Sequence, residues 1–434
     1  MSEDNNINYQ LICNPFEEEE KSYIFSIDPK DYEFYSFLSD ETSLGPIATF
    51  IKNINEKENQ INKNNEKEEY ICIKKLDKPY ETCSRARRVL KIMTILSDLK
   101  HDNIVQLKEI YIPKVENYDS AYLFLENFPC NLEHMINSDY DYLKEEKIIP
   151  WIIYQILKGL YYLHKRGVIH RNIKPANILI DQNCLVKICG FGKVIFSDEY
   201  ESTFRGEIND FISEKMCLNY LAPEALSSKK KSKEEYNEKI DLWGLGCILA
   251  ELLTKKSPFF SPLKISKNKW EAMLHGVFRK MGKPDNKTLA KFASKERIKN
   301  IMKFKNYPKM DIKDLYPNVG DKDAIDLVEK LLCINPQDRI TILEAKDHPF
   351  FNKIKDWKKE NDFTVKEEKI TFRYTKDIEK MRKDGEFYDK QLDYYKEKIW
   401  CLKGKYNEKE IILNNTYGYN IYNYNDESTR EATY

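Results

Sequence analysis

The sequence lacks an excess of charge of either sign, because its 434 residues carry 71 Lys and Arg against 71 Asp and Glu. A global field that would draw the chain to nucleic acid is therefore not expected. Long apolar runs are also missing, since no stretch approaches the ~20 apolar residues that a membrane-crossing helix needs. These absences argue against nucleic acid as a partner and against insertion into a membrane.

Paired cysteines are missing as well. The ten cysteines form no CxxC pair and show no metal-ligand spacing, which is typical of reduced thiols in an intracellular protein. We therefore predict no metal site. The first residues, MSEDNNINYQ, are acidic and polar and do not read as a signal peptide, so the expected location is the cytoplasm or the nucleus.

The first third of the sequence predicts a small β-rich lobe with one main helix. Residues 1–34 are acidic and weakly patterned, and we interpret them as a loosely attached arm. Residues 35–128 contain short β-branched and aromatic runs such as YICIKKL (70–76), and residues 86–99 have apolar side chains at helical spacing. The low-complexity polar segment 53–69 is predicted to be a disordered insert between strands.

From about residue 129 the pattern becomes helical. The segments 148–167 and 241–256 are apolar on most faces, as expected of buried helices, and 324–345 is amphipathic. The sequence therefore predicts a larger α-helical lobe over residues 129–353. The expected fold class is α+β, with two lobes.

The residues after 353 are predicted to form a C-terminal extension, 354–413, followed by an Asn/Tyr-rich disordered tail, 414–434. Within the extension, residues 378–402 repeat apolar side chains near heptad spacing, which favours a helix with one apolar face. Such a helix could pack on its own domain or bind a helix of a partner. The pattern leaves both alternatives open.

An ordered set of motifs carries a resemblance to a known family. The motifs ICIK, HRN, GFG, YLAPE, DLWGLG and NPQDRI follow one another in the chain. In this order they resemble the eukaryotic protein kinase domain across residues 35–353. The stretches YQILKGLYYLHKRGVIHR and DLYPNVGDKDAIDLVEKLL are most similar to the mitogen-activated protein kinase branch. The resemblance implies a bilobal fold with a nucleotide cleft between the lobes.

The resemblance also implies that the phosphate-binding parts of the small lobe are degenerate. Lys74 matches the strand lysine that holds the nucleotide phosphates, but Ile92 stands where the family has the glutamate that pairs with it. In the glycine-rich loop, Asp40 and Thr42 replace the first two glycines and only Gly45 remains. Glycines at those places let the backbone close over phosphates.

The catalytic residues of the large lobe are changed as well. Asn172 stands where the family has the aspartate that accepts the proton of the substrate hydroxyl, and an amide has almost no basicity. Gly190 replaces the aspartate that holds Mg²⁺, while Lys174 and Asn177 match family residues that are kept. Because Mg²⁺ prefers anionic oxygens, we expect no metal and no intact catalytic set.

Other family features are retained. Glu224 and Arg339 match a buried ion pair, and Asp241 matches the helix aspartate that braces the backbone of the catalytic loop. The candidate nucleotide-binding residues, in a pocket expected to be weak or lost, are Leu38, Ile47, Cys72, Lys74, Leu125, Glu126, Phe128 and Leu179.

Three functions fit this combination. The leading hypothesis is a catalytically inactive kinase homologue, a pseudokinase, that acts as an interaction scaffold or allosteric module for protein partners, such as a component of a kinase cascade. The second is an atypical serine/threonine kinase with residual ATP-dependent phosphotransfer. The third is a nucleotide-binding switch that binds ATP without Mg²⁺. No cofactor is expected under the leading hypothesis.

Overall fold

A computed structural model describes most of the chain in two lobes. The described residues are 10–13, 22–39, 44–53, 68–113, 120–138, 141–197, 218–227, 237–259, 269–291, 293, 295–359, 362–370 and 388–406. Most of the predicted insert 53–69, the first part of the predicted helix 378–402 and the tail 414–434 lie outside these residues. The expected α+β fold with a small sheet lobe and a larger helical lobe is confirmed.

The small lobe is a five-stranded antiparallel sheet in the order β3-β4-β5-β7-β6. Its strands are β3 Tyr32–Ser39, β4 Ile47–Lys52, β5 Glu69–Asp77, β6 Leu107–Tyr111 and β7 Ser120–Glu126. Side chains alternate across this sheet: Ile71 and Ile73 join an aromatic cluster on the outer face, and Cys72 joins the main core.

The outer face of this sheet is covered by residues that the sequence had assigned to a loose arm. Strand β2, Ser22–Phe25, pairs with β1, Gln10–Cys13. Phe25 and Ile27 are fully buried, and the Phe25 ring lies 5.5 Å from that of Phe50. The interpretation of residues 1–34 as loosely attached is therefore wrong for residues 22–34. The apolar side chains of this short stretch pack against the outer face of the sheet. The sequence pattern within the stretch does not reveal this contact.

Helix α1, Cys83–Asp98, packs on the inner face of the sheet. Thr82 is its N-cap and accepts a hydrogen bond from the Arg85 backbone N, which satisfies one of the free N–H groups of the first turn. Burial extends around most of the helix, because even Arg87 and Lys91 are at most 5% exposed. A second element must therefore cover the side of α1 that faces away from the sheet.

That element is helix α12, Tyr388–Tyr406, the last helix of the described chain. It packs against α1 and β6, with Tyr395 and Ile399 almost fully buried, and the Lys403 Nζ donates to the Ile112 carbonyl at 3.3 Å. Of the two alternatives for the heptad pattern, the structure shows packing on its own domain. Leu402 is buried as well, with 9% of its surface exposed. It lies seven residues after Tyr395, so the buried side of the helix follows the predicted heptad spacing.

The helical lobe surrounds two buried helices, α3 and α5. Its helices are α2 Leu132–Asn137, α3 Ile148–Lys165, α4 Pro223–Ser227, α5 Lys239–Thr254, α6 Lys269–Met281, α7 Asn286–Leu289, α8 Lys295–Met302, α9 Ile312–Leu315, α10 Lys322–Leu331 and α11 Ile342–Lys346. Within the described ranges no helix is long and apolar enough to cross a membrane.

Short strands line the top of the helical lobe. Strands β8 Cys130–Asn131, β10 Ile178–Ile180 and β11 Val186–Ile188 form one small sheet, and β9 Val168–Ile169 pairs with β12 Ile195–Phe196. The loops between β9 and β10, and between β11 and β12, therefore lie side by side at the cleft between the lobes.

The buried ion pair expected from the family resemblance is present in the lower part of the helical lobe. Arg339 Nη1 and Nη2 bind the two carboxylate oxygens of Glu224 at 2.7 and 3.0 Å, and both side chains are fully buried. The Arg339 guanidinium also lies 5.2 Å from the Trp243 ring centroid. Because a buried pair that loses one partner leaves an uncompensated charge, its rupture typically costs about 3–5 kcal/mol.

We predict that Ile399→Ala, in the centre of the α12 contact, lowers the free energy of unfolding by about 2–4 kcal/mol, because it removes a fully buried side chain. Cys401→Ala, at an exposed position of the same helix, is the matched control and should change it by less than about 0.5 kcal/mol. Urea denaturation followed by tryptophan fluorescence measures both. Equal stabilities of the two variants would contradict the docking of α12.

Candidate functional site

The loop after β9 is held by one buried carboxylate. Asp241 of α5 accepts hydrogen bonds from the backbone N of His170 at 2.9 Å, from the backbone N of Arg171 at 2.7 Å and from His164 Nε2 at 2.8 Å. Burial alone would raise the pKa of Asp241, but the hydrogen bonds and charges of His164 and His170 outweigh it and hold that pKa low. The carboxylate fixes Arg171 in a left-handed backbone conformation, φ 62°.

His170 connects this loop to the GFG segment. Its Nε2 lies 2.9 Å from the Cys189 carbonyl, and its ring packs edge-on against Phe191 with the centroids 5.1 Å apart. Burial lowers the pKa of His170, and the ring packs the two loops together.

The structure brings Asn172, Asn177 and Gly190 together between these loops. Asn177 ends a 3₁₀ helix, Pro175–Asn177, and its Nδ2 donates to the Asn172 carbonyl at 2.7 Å. Gly190 has a left-handed backbone, φ 83°, which glycine adopts without steric cost. A Cβ at Gly190 would overlap the side chain of Asn177, with Cγ at 2.5 Å and Nδ2 at 2.8 Å. The amide of Asn177 thus occupies the space that a side chain at position 190 would need.

The side chain of Asn172 makes no hydrogen bond to any residue in the described ranges and is partly exposed to the cleft. A neutral amide at this place can accept or donate a hydrogen bond, but it takes up no proton near neutral pH. Within the described parts of the chain, no group of three or more His, Cys, Asp or Glu side chains is placed to hold a metal ion.

Lys74 of β5 lies close to Cys72 and Cys189. Burial lowers its pKa to about 8. Burial raises the pKa of both Cys72 and Cys189 to about 12, so both are neutral thiols at physiological pH. The charge of Lys174 also acts on Cys189. Both predicted lysines thus lie near Cys189, which the sequence reasoning missed although it directly precedes Gly190.

Ile92 points into the apolar core rather than toward a charged partner. It is 3% exposed and belongs to the main hydrophobic cluster, together with Leu96 on the next turn of α1. The α1 face that meets the sheet therefore supplies packing at this position. Asp40 and Thr42, the replaced glycine-loop residues, lie outside the described residues, and Gly45 is held close to the Lys75 carbonyl, which a Cβ would approach to 2.6 Å.

The ceiling of the cleft is the inner face of the sheet. The β-ladder places Ile47 opposite Lys74, and Cys72 opposite Leu125, and residues directly opposite each other share a face. These four predicted residues therefore lie together. Leu38 is 46% exposed on β3 and packs with neither hydrophobic cluster.

The predicted hinge is held by polar contacts. Glu126 Oε1 accepts from the Gln106 backbone N at 2.7 Å and pairs with Lys187 Nζ at 2.8 Å, so its carboxylate is already engaged. The Lys187 Nζ lies 5.8 Å from the Phe128 ring centroid, and Leu179 is opposite Lys187 in the β10–β11 ladder.

A further hinge contact was not predicted from the sequence. The Thr49 hydroxyl of β4 donates to Asn127 Oδ1 at 3.1 Å and so joins the ceiling to the hinge. Thr49 is 3% exposed, and a polar side chain at an inward position of the apolar run IATFIK is the signal that could have found it.

Comparison with known proteins agrees with the order of motifs. A family model described as "Protein kinase domain" matches residues 60–351. Mitogen-activated protein kinase 6 of Arabidopsis thaliana is 32% identical over 304 residues, which cover 70% of this chain and 71% of that protein. Mitogen-activated protein kinase 14 of Xenopus laevis is 30% identical over 65% of this chain and 72% of its own length.

Extracellular signal-regulated kinase 1 of Dictyostelium discoideum is 30% identical over 66% of this chain, and the match spans only 51% of that protein's length. The resemblance to the mitogen-activated protein kinase branch is thereby confirmed.

We predict that Gly190→Ala is destabilising by about 1–2 kcal/mol, because a Cβ is strained at this positive φ and overlaps Asn177. Asn177→Ala should cost about 1 kcal/mol for the lost hydrogen bond to Asn172. The double variant should cost less than the two together by at least about 0.5 kcal/mol, because the overlap is relieved.

Gly320→Ala is the matched control for this double-mutant cycle, since a Cβ there meets no atom within 4 Å. It should leave stability unchanged or raise it slightly. Strictly additive costs of Gly190→Ala and Asn177→Ala in urea denaturation would contradict the contact between these two residues.

Proposed function

The chain belongs to the protein kinase family, and from that premise we propose that it is a catalytically inactive member, a pseudokinase, that works as an interaction scaffold or allosteric module. Kinases position phosphates and neutralise their charge with metal ions, a lysine and backbone amides, and they do little covalent chemistry themselves. A family member whose positioning residues are replaced while its folding residues are kept is suited to binding rather than to transfer.

The observation that carries the proposal is the packing of Asn177 against Gly190. Family members hold Mg²⁺ with a carboxylate at this position, and Mg²⁺ depends on anionic oxygen ligands. Here Asn177 fills the space beside the glycine and donates its amide to the Asn172 carbonyl at 2.7 Å. A carboxylate at position 190 would need Asn177 to move, so the local packing is adapted to the glycine.

The proton acceptor gives independent support. General-base catalysis typically contributes about 10²–10⁴ in rate, and the amide of Asn172 supplies none of it. Ile92 packs in the core at the position where the family has the glutamate that aims the strand lysine. These replacements affect three separate functions: metal binding, proton acceptance and the positioning of Lys74. Restoring the family residue at one position would leave the other two functions impaired.

The contacts that hold the fold together are retained. The Glu224–Arg339 pair and the Asp241 contacts hold the helical lobe in shape, and α12 covers the outer side of α1. The relatives are named as mitogen-activated protein kinases. We therefore propose protein partners in the cytoplasm or nucleus, with a component of a kinase cascade as the expected class.

A metal-independent nucleotide switch is the second candidate function. Ile47, Cys72 and Leu125 share the inner face of the sheet with Lys74, and this is the side of the cleft where the family holds the adenine and the phosphates. A protonated Lys74 could still attract a phosphate group. Residual serine/threonine kinase activity is the remaining alternative, and it is the one that the chemistry of Asn172 supports least.

We predict that ATP raises the melting temperature little or not at all, and by the same amount with and without Mg²⁺. Thermal shift at several ATP concentrations measures this, since a ligand that binds only the folded state stabilises it by mass action. If a metal-independent rise occurs, Lys74→Met should abolish it, and Lys75→Met, at the next position of the strand, should not. A rise of several degrees that strictly requires Mg²⁺ would contradict the proposed loss of the metal site.

A further inference from the structure

Although the whole chain is neutral, its charge is strongly segregated. Residues 279–313 contain twelve Lys and Arg against three Asp and Glu, a net charge of +9, so the rest of the chain carries −9. The segment includes α7, α8 and the start of α9 in the helical lobe. Lysine recurs at every fourth position from 283 to 303. Salt at physiological concentration screens the field of these charges within about 8–10 Å. The segment can therefore attract only a partner surface that comes into close contact with it.

Most lysines of this segment are exposed, although Lys309 pairs with Glu329 at 2.6 Å and Lys283 donates to the Phe304 carbonyl. Six further lysines are exposed and form no ion pair with any side chain that the structure describes: Lys287, Lys291, Lys295, Lys299, Lys305 and Lys313. Lys303 is also exposed and bonds only the neutral Asn300 side chain. We call these seven lysines, together with Met302 and Met310, the basic face.

Two of the three acidic residues in the segment are engaged by backbone donors. Asp285 accepts from the Thr288 backbone N at 2.7 Å, and Asp311 accepts from the Lys313 backbone N at 2.9 Å. The backbone bond from Thr288 also lowers the pKa of Asp285. Both carboxylates cap the N-termini of the short helices α7 and α9, and both are already counted in the net charge of +9.

Apolar side chains stand among these charges on the same surface. In α8, Lys295, Lys299 and Met302 are spaced i, i+4 and i+7 and therefore share one side of the helix, while Ile301 is buried on another. Met302 is 40% exposed and Met310 is 41% exposed. One side of α8 thus carries two exposed lysines and an exposed methionine.

The backbone that carries the basic face is anchored to the domain. The Lys283 backbone N donates to the Tyr307 carbonyl at 2.8 Å, and the ring of Phe304 stacks on His275 with centroids 4.0 Å apart. These contacts hold the loop after α8 against α6. The surface is therefore formed before any partner arrives.

We propose that the basic face binds the surface of an anionic lipid membrane, at the headgroup level and without spanning it. Lysine ammonium groups act as separate point charges that follow a fluid anionic surface, whereas a directional site for single phosphates favours arginine. Exposed methionines gain free energy by entering the apolar edge of the interface. A single-stranded nucleic acid would instead favour exposed aromatic side chains for stacking, and the two aromatic side chains that the structure describes in this segment, Phe304 and Tyr307, are packed against His275.

The test is co-sedimentation of the full chain with vesicles of phosphatidylcholine alone or with about one third phosphatidylserine. We expect binding only to the anionic vesicles and a steep decrease when salt is raised. The variant Lys295→Glu/Lys299→Glu/Lys303→Glu should bind about 100-fold more weakly, at roughly a factor of five for each lysine removed from an anionic surface.

A matched control has the same change of net charge elsewhere: Lys108→Glu/Lys322→Glu/Lys355→Glu, at three exposed lysines outside the segment. It should bind the anionic vesicles as the unaltered chain does. Because all six positions are exposed, both variants should keep the melting temperature. Equal loss of binding in the two variants, or no binding by the unaltered chain, would overturn the proposal.

Met302→Ser distinguishes a membrane from another polyanion. It should weaken vesicle binding several-fold and leave the weak binding of a duplex oligonucleotide unchanged, because only the membrane offers an apolar layer. Tighter binding to the oligonucleotide than to the anionic vesicles, at equal salt, would overturn the assignment to a membrane.

Discussion

The hydrogen bonds accepted by Asp241 are the constraint on which the cleft depends. One buried carboxylate takes up the backbone N–H groups of His170 and Arg171 and so fixes the loop that carries Asn172. Because the loop is held from its backbone, the identity of the side chain at position 172 does not decide its shape. The Glu224–Arg339 pair acts in the same way lower in the lobe, joining α4 to the loop before α11. Both depend on charges that are compensated inside the fold.

The residues that differ from the family are not the ones that make these buried ionic contacts. They can therefore be replaced without breaking the contacts. Asparagine has nearly the shape of aspartate, and glycine accepts the left-handed backbone at position 190 without strain. Ile92 turns a position assigned to a carboxylate into core packing. Each change removes chemistry and costs the fold little. The residues that hold the fold together are therefore separate from the positions where the catalytic groups of the family are replaced.

Much of this site was predictable from sequence because the family's motifs are local. Short sequence motifs identify the positions of Asn172, Asn177 and Gly190, and the structure brings these three residues together. Contacts between distant segments were not predictable in the same way. The burial of Phe25 and Ile27, the Thr49–Asn127 hydrogen bond and the approach of Lys74 to Cys189 depend on which surfaces meet. The heptad pattern predicted a helix with one apolar face, but only the structure shows that this face packs against α1.

Our proposal is that the ability to transfer phosphate is lost at several places in the cleft at once. It is tested most directly by Asn172→Asp/Gly190→Asp, which returns the proton acceptor and one metal ligand while leaving Ile92 and the glycine-loop replacements unchanged. Phosphate transfer depends on positioning, and a group misplaced by about 1 Å can cost on the order of 10²-fold in rate. The measurement is the incorporation of radiolabelled phosphate from ATP and Mg²⁺ into a generic protein substrate, beside an active family member. The account predicts background incorporation, and turnover near about 1 s⁻¹, an ordinary kinase rate, would contradict it.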